Sequence, residues 1–430
     1  MRDIVPYLEQ GTEIPINSLN AESVGSAGDL MSHAVDFVEQ IYDLDFADGC
    51  PFAIAAAVLK PDFSGKRRIV SGRGVTWEEA LQGCLAEATE RWCAVFSETQ
   101  SGVWAVEREI APSPISPKSL LLISDHQYEK ADEWNRTIEP DHHLPKRGNA
   151  EQPIFWVEAH SIAANTKVMV PAAHCFLGYP LAMEHGFALP DSSGLAAGKD
   201  IGSCVQRALF ELIERDAVSI WWYGRMPRPE LRLDRAKFPL LADAEAWMGR
   251  QGRRLWLLDL STDLDVIVVA ALSCDDDGRD LSFGFAAGWT REEASRGALG
   301  ELVQFEVTRR LSAEGKAPDV KNLLTWCGQA SIEDHAFLRP ATATATEPLA
   351  DLTPDISELI SRLQKKGIGP VVLDLSREEA PLSVVRVLAP GLRPIWPRFA
   401  PGRLYDVPIE LGWRDRRLRE DELNPTPFIY

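Results

Sequence analysis

Apolar positions along this chain recur at two periods, and the switches between them mark out the elements. Residues 29–44, DLMSHAVDFVEQIYDL, place apolar side chains at roughly helical spacing, which predicts a helix. Cys50–Leu59 is a continuous apolar run of strand length. The charged turn DFSGKRR and the apolar pair Ile69–Val70 follow it, so a hairpin is expected there. IFWVEAHSI and KVMVPAAHCFL also read as strands. Further on, a helix over Ala242–Gln251 feeds two strands, RLWLLDLST and DVIVVAALSC. The same order returns near the C-terminus, where amphipathic Ile356–Lys366 precedes GPVVLDLS and PLSVVRVLAP. LDLS stands in both copies, so helix–strand–strand modules stacked into a mixed sheet are expected. The fold class is mixed α/β (α+β).

A second repeat carries charge. In GVTWEEALQGCLAEATERW, Gly74 stands thirteen residues before Glu87. Gly198 stands thirteen before Glu211 in GKDIGSCVQRALFELIERD, and Gly288 thirteen before Glu301 in GWTREEASRGALGELVQFE. A leucine precedes each glutamate by two (Leu85, Leu209, Leu299), and a polar residue follows it by three (Glu90, Glu214, Gln304). Arg91 and Arg215 come next in two of the copies. Each copy reads as a glycine-punctuated loop turning into a helix.

Composition narrows the field. Hydrophobic residues at 45% and charged residues at 25% describe a globular protein, and 430 residues exceed one simple core. A net charge of −19 with no basic stripe argues against a nucleic-acid partner. The N-terminus lacks the basic and apolar regions of a secretory signal, and no apolar run reaches the roughly 20 residues of a membrane span. Seven cysteines without a CxxC pair fit a reducing compartment and give no structural zinc signature, so the expected location is cytoplasmic. The organisation expected is an N-terminal segment (1–49) and one domain (50–430). Within that domain lie an irregular lobe (112–153), a linker (340–351) and a proline-containing tail (400–430) that is either disordered or threaded into a cleft.

Residues three apart on a helix share a face. Glu87 with Glu90 and Glu211 with Glu214 therefore make carboxylate pairs, Glu301 adds a fifth carboxylate, and Gln304 offers a neutral oxygen. A single ExxER is ordinarily a solvated charged face; three copies in one register point instead to a site. Convergent carboxylates repel by several kcal/mol at intermediate dielectric, roughly 4 kcal/mol per pair at contact. A hard divalent cation relieves that repulsion, and oxygen-only ligands suit Mg2+. Arg91 and Arg215 would then clamp phosphate oxygens. Walker-type and dinucleotide fingerprints are missing. Cys84, Cys93 and Cys204 read as core, and His142–His143 as exposed surface.

LAEATER, GLAAGKD…LFELIERDAVSIWW, FGFAAG…LGELVQ and YDVPIELGW…LNPTPF together resemble the YcaO superfamily, in particular its azoline-forming branch. The resemblance runs from about Cys50 to the end. It implies a YcaO-type fold whose three loop–helix units converge on one ATP site, with ATP and Mg2+ as cofactors. The metal- and ATP-binding pattern falls on Glu87, Glu90, Glu211, Glu214, Glu301 and Gln304. Arg91 and Arg215 follow it as catalytic and phosphate-binding arginines. Lys199 stands near the phosphates, and the Tyr430 carboxylate becomes a candidate catalytic group. The implied reaction is ATP-dependent cyclodehydration of a Cys, Ser or Thr side chain onto the preceding amide of a ribosomal peptide, giving a thiazoline or oxazoline. A thioamide- or amidine-forming enzyme of the same fold, or a non-catalytic scaffold, are the alternatives. Departures from the family pattern occur at Gly83, Lys199 and Ser203. The partners implied are a leader-bearing precursor peptide, a separate E1-like leader-binding protein and a flavin-dependent dehydrogenase; a homodimer is left open.

Overall fold

The computed structural model describes residues 12–14, 30, 34, 36–44, 49–61, 67–111, 114–138, 140–313, 326–341 and 351–428. The chain divides into two compact units, one of Met1–Ala88, Ala217–Pro354 and Leu423–Tyr430, the other of Thr89–Asp216 and Asp355–Glu422. The first unit opens with strands β1 (Thr12–Ile14), β2 (Val38–Asp43), β3 (Ala53–Leu59) and β4 (Ile69–Gly74), then helix α1 (Trp77–Cys93). The second adds β5 (Val103–Ala105), the short helices Pro117–Leu121, Asp125–Glu129 and Ala131–Trp134, then β6 (Ile154–Ser161), β7 (Thr166–Pro171) and β8 (Leu195–Gly198). Helix α2 (Ile201–Gly224) follows, and the first unit resumes with α3 (Pro239–Arg250), β9 (Arg253–Asp259), β10 (Ile267–Asp275), β11 (Ser282–Gly288) and α4 (Arg291–Ala313). The second closes with α5 (Ile356–Lys365), β12 (Val371–Asp374), β13 (Ser383–Leu388) and α6 (Arg403–Glu410).

Mixed helix and sheet is the architecture found, but the sheets are not mixed. Strands run in the orders β1-β2-β3-β4, β11-β10-β9 and β5-β6-β12-β13-β8, with β7 on β6. Every strand pair among the described residues is antiparallel. Short turns such as DDDGRD join β10 directly to β11, and a tight connection can only return antiparallel. The LDLS echo is real: β9–β10 and β12–β13 are both hairpins preceded by a helix. Each then pairs with a strand ending in Ala-Ala-Gly, β11 in the first unit and β8 in the second.

Two sequence expectations are corrected. Residues 38–43 form β2, not part of a helix, and pair with both β1 and β3. Their alternation Val-Glu-Gln-Ile-Tyr-Asp is broken by a bulge between Val38 and Gln40, so the pattern mimics a helical period while the pairing is that of a strand. LAAG is a buried strand rather than a loop. Four small residues are too few to show any period, and only the pairing with β13 reveals them.

Each repeat is thus a strand, a turn and a helix. The helix cap stands two residues after the repeat glycine in all three. Thr76 and Thr290 accept the amides of Glu79 and Glu293, whose carboxylates return to the amides of Val75 and Trp289. Asp200 accepts the amide of Ser203. These side chains satisfy amides that a helix start leaves unpaired. Leu85, Leu209 and Leu299 are fully buried, so the leucine position sets which face of each helix turns inward. In the first unit the core packs Phe52, just before β3, and Ile54 of β3 with Trp247 and Met248 of α3 and Ala298, Leu299 and Leu302 of α4. Of the tail, residues 423–428 pack within this unit. Phe428 is fully buried 4.7 Å from Trp222, whose indole donates to the Thr426 carbonyl at 2.8 Å.

In the second unit Asp216 is fully buried. Arg403 donates to both of its oxygens at 2.7–3.0 Å, and the Arg393 amide donates at 2.9 Å. Asp216→Asn would leave a guanidinium in the interior without its counter-charge, at a cost of about 3 kcal/mol or more. Chemical denaturation should show that loss. The exposed pair Lys167–Glu158 is the control, and Glu158→Gln should leave the midpoint where it is.

Strand and helix backbones touch where glycine allows it. A Cβ on Gly72 would stand 2.1 Å from both the Ala80 carbonyl oxygen and the Cys84 nitrogen of α1. On Gly284 it would stand 2.2 Å from the equivalent Ala298 and Leu302 atoms of α4. Gly83 differs, since its nearest neighbour would be the Gly72 Cα at 3.5 Å, an ordinary contact. Gly72→Ala is therefore expected to cost about 3 kcal/mol or more through forced backbone shifts. Gly83→Ala should instead raise the urea midpoint by removing a helix-interior glycine, a gain of about 0.5–1 kcal/mol. The opposite ranking would show that the strand does not lie on the helix as described.

Candidate active site

Each repeat places its first glutamate in the same way. The Ser71 amide of β4 donates to Glu87 at 3.2 Å, the Gly194 amide before β8 donates to Glu211 at 2.8 Å, and the Phe285 amide of β11 donates to Glu301 at 2.5 Å. A strand that lies flat on its helix has one amide pointing at the helix, and the glutamate at that level accepts it. The bond fixes each carboxylate against its own strand with a lone pair to spare. Glu87, Glu90, Glu211, Glu214, Glu301 and Gln304 are all half-buried.

In the first unit Glu87, Glu301 and Gln304 are joined by two residues of β4. Arg73 donates to the Gln304 oxygen at 2.9 Å and stands 3.7 Å from Glu301. The Gln304 amide donates to the Ser71 hydroxyl at 2.6 Å. Neither Ser71 nor Arg73 stood out in the sequence, because they belong to the strand and not to the helical repeat. The sole signal was their alternation in SGRG, which puts both on the face opposite Val70 and Gly72.

In the second unit Arg215 donates to Glu211 at 2.8 Å. Burial opposes the Arg215 charge, but the carboxylates of Glu211, Asp191 and Glu214 outweigh it and raise its pKa above the ordinary guanidinium value. Glu90 on α1 is near enough for its charge to act on Cys204 of α2. Lys199 is exposed at the start of α2. Ser203, one of the family departures, completes the cap made by Asp200: its hydroxyl accepts the Asp200 amide at 3.3 Å and donates to the Asp200 carbonyl at 2.8 Å. Tyr430 lies outside the described residues, as do 342–350 of the expected linker.

Within each unit the donor set suits magnesium. It is all oxygen, half-buried, and carries several charges with few cations among them. No three His, Cys, Asp or Glu side chains among the described residues already stand together as a metal cage. Magnesium does not require one, since it is held by one or two carboxylates together with waters and substrate phosphates. Burial pushes the thiols of Cys93 and Cys204 up to about 11, which fits their reading as core residues. His142 and His143 are not bare surface. The first stacks on Trp396 with ring centres 4.7 Å apart, and the second bonds the Ile138 carbonyl at 3.2 Å. No helix among the described residues is long and apolar enough to cross a membrane.

Solved proteins share this fold. A solved heterocyclase in complex with substrate and cofactor superposes with a TM-score of 0.83 at 29% identity, covering 93% of this chain. The heterocyclase TruD matches with a TM-score of 0.72 at 29% identity over 81% of this chain. The chain spans 57% and 50% of the lengths of those two proteins. YcaO from Methanopyrus kandleri, solved with AMPPCP and Mg2+, shares the fold with a TM-score of 0.63 at 22% identity, covering 87% of this chain and 91% of its own. The model of the YcaO cyclodehydratases, described as ATP- and Mg2+-binding, matches residues 71–393, which include every repeat glutamate. The chain belongs to the YcaO family.

Proposed function

We propose that this chain is the ATP-using component of a peptide cyclodehydratase that makes thiazolines or oxazolines from Cys, Ser or Thr residues of a ribosomal precursor peptide. The observation that carries the proposal is the threefold similar seating of Glu87, Glu211 and Glu301, each on a backbone amide in or just before the strand of its own repeat. A backbone amide orients a carboxylate without itself adding a counter-charge, which suits a metal ligand. Family membership supplies the cofactors, ATP and Mg2+.

Glu87, Glu90, Glu211, Glu214 and Glu301 are proposed to hold magnesium, with Gln304 as a neutral partner. Arg91, Arg215 and Lys199 are proposed to bind phosphate oxygens, and Arg73 joins them through its hold on Gln304 and Glu301. Mg2+–ATP supplies the phosphoryl group that makes an amide oxygen a leaving group. The chain's own part is to align the amide with that group and to stabilise the negative charge that develops on its oxygen, the largest contributions available to such a site. The guanidiniums of Arg91 and Arg215 supply that positive field. A leader-binding protein of the E1-like class is proposed as the partner that presents the peptide, with a flavin-dependent dehydrogenase acting where azoles are made.

The test incubates the protein and its partner with a leader-bearing peptide rich in Cys, Ser and Thr, in the presence of Mg2+ and ATP. Loss of one water mass per heterocycle, matched to ADP and phosphate, is the expected result. Glu301→Gln and Arg73→Met should each lower the rate by about 100-fold or more while the protein melts as before. Hydrolysis that requires sulfide would replace this reading with thioamide formation. Absence of nucleotide binding, with Glu211→Ala and Glu214→Ala equal to wild type, would reduce the chain to a scaffold.

A further inference from the structure

The second unit contains a cavity of about 90 Å3 that the repeat glutamates do not line. Its polar wall consists of His174, Asp191, Arg215, Arg386, Arg393 and Arg398, with Trp396 beside them. The charges of Arg386 and Arg215 act on the Asp191 carboxylate, while the Arg393 guanidinium donates to the carbonyls of Arg398 and Ala400. Asp191 is already spoken for: it accepts the Ser193 amide at 2.9 Å and the Trp396 indole N–H. Burial alone would raise its pKa, yet the charges of Arg386 and Arg215 and these two donors hold it down to about 2. His174 shows the same field from the other side. Burial and the positive charge of Arg386 push its pKa down to about 4, so it is neutral at pH 7 and adds no cation of its own.

Arg386 is the anomaly. It is mounted on β13 in the interior of its sheet, opposite Leu195 of β8 and Leu373 of β12, and is only 2% exposed. One terminal nitrogen donates to the Asp191 backbone carbonyl at 2.7 Å, and the other stands 3.8 Å from the Asp191 carboxylate. Its Nε has no hydrogen-bond partner among the described residues. A buried guanidinium this poorly matched destabilises the fold relative to an apolar side chain of the same length. A ligand that supplies negative oxygens would reverse that penalty. The space is equal to about three water molecules in the liquid, enough for a phosphate ion or one carboxylate group.

We propose that the cavity walled by Arg386, Arg398, Trp396 and His174 binds a small oxyanion, a phosphate or a carboxylate, through the Arg386 guanidinium. The chemistry is that of a charge-assisted fork on a strand that cannot move away. Leu388, Leu392 and Pro394 close the apolar side and weaken competition from water. This inference is independent of cyclodehydration, because none of its walls except Arg215 belongs to the proposed ATP site.

Isothermal titration of inorganic phosphate into the full chain tests it, without nucleotide or magnesium and at constant ionic strength set by sodium chloride. One saturable site is expected. Arg386→Met should weaken it by about tenfold or more. Ser119→Glu, which adds a competing carboxylate at the cavity rim, should also weaken it and serves if Arg386→Met fails to fold. Glu301→Gln should leave it unchanged. A parallel titration with acetate separates the sources. Acetate binding at the same site identifies a carboxylate ligand, and phosphate binding alone identifies a phosphate. The proposal is overturned if neither anion saturates, if both cavity variants that fold bind like wild type, or if Glu301→Gln abolishes binding.

Discussion

One hydrogen bond, made three times, governs the arrangement of this protein: a backbone amide in or just before a strand donates to the glutamate on the helix that follows it. It forms only if the strand lies on the helix backbone, and Gly72 and Gly284 are the residues that permit that approach. The cap two residues after each repeat glycine fixes where the helix begins. A fully buried leucine then fixes its rotation. With start and rotation set, the glutamate arrives at the level of the waiting amide. The thirteen-residue interval from glycine to glutamate is the sequence trace of this geometry.

The arrangement has an electrostatic consequence. A carboxylate held by a neutral amide keeps its charge, so each repeat concentrates negative potential at one place on the helix. Within the first unit Arg73 balances part of it through Glu301 and Gln304. Within the second, Arg215 does the same for Glu211. Neither arginine cancels the acids around it, and the remainder suits a divalent cation. The site and the fold are therefore not separate features, since the residues that seat the acids also close the strand–helix contact.

Helix α2 shows how one element serves several roles by the angle at which each residue leaves it. Glu211 and Glu214 point to the repeat's polar edge. Asp216, two residues on, turns inward to Arg403 and Arg393 and locks the helix to the second unit. Arg215, between them, bonds Glu211 and also lines the arginine-rich cavity. A change at Asp216 would be felt as stability and, under the proposed function, one at Glu211 as chemistry, although they are little more than a turn apart.

The sequence by itself determined the repeat, the glutamates, the leucine that buries each helix and the LDLS modules. All of these are local, set by spacing along one helix or one hairpin, and a period can be counted without knowing what packs on it. Tertiary structure decided the rest. Strand β2 was hidden because a bulge disturbed its alternation, and β8 because four small residues have no period. Ser71 and Arg73 entered the site from β4, more than two hundred residues from Gln304 in sequence, so no local signal could join them. Arg386 read as one charge in an apolar strand until the fold set it beside Asp191 with an unmatched Nε. Spacing encodes which face of an element is buried, but partners between distant elements exist only once the chain has packed.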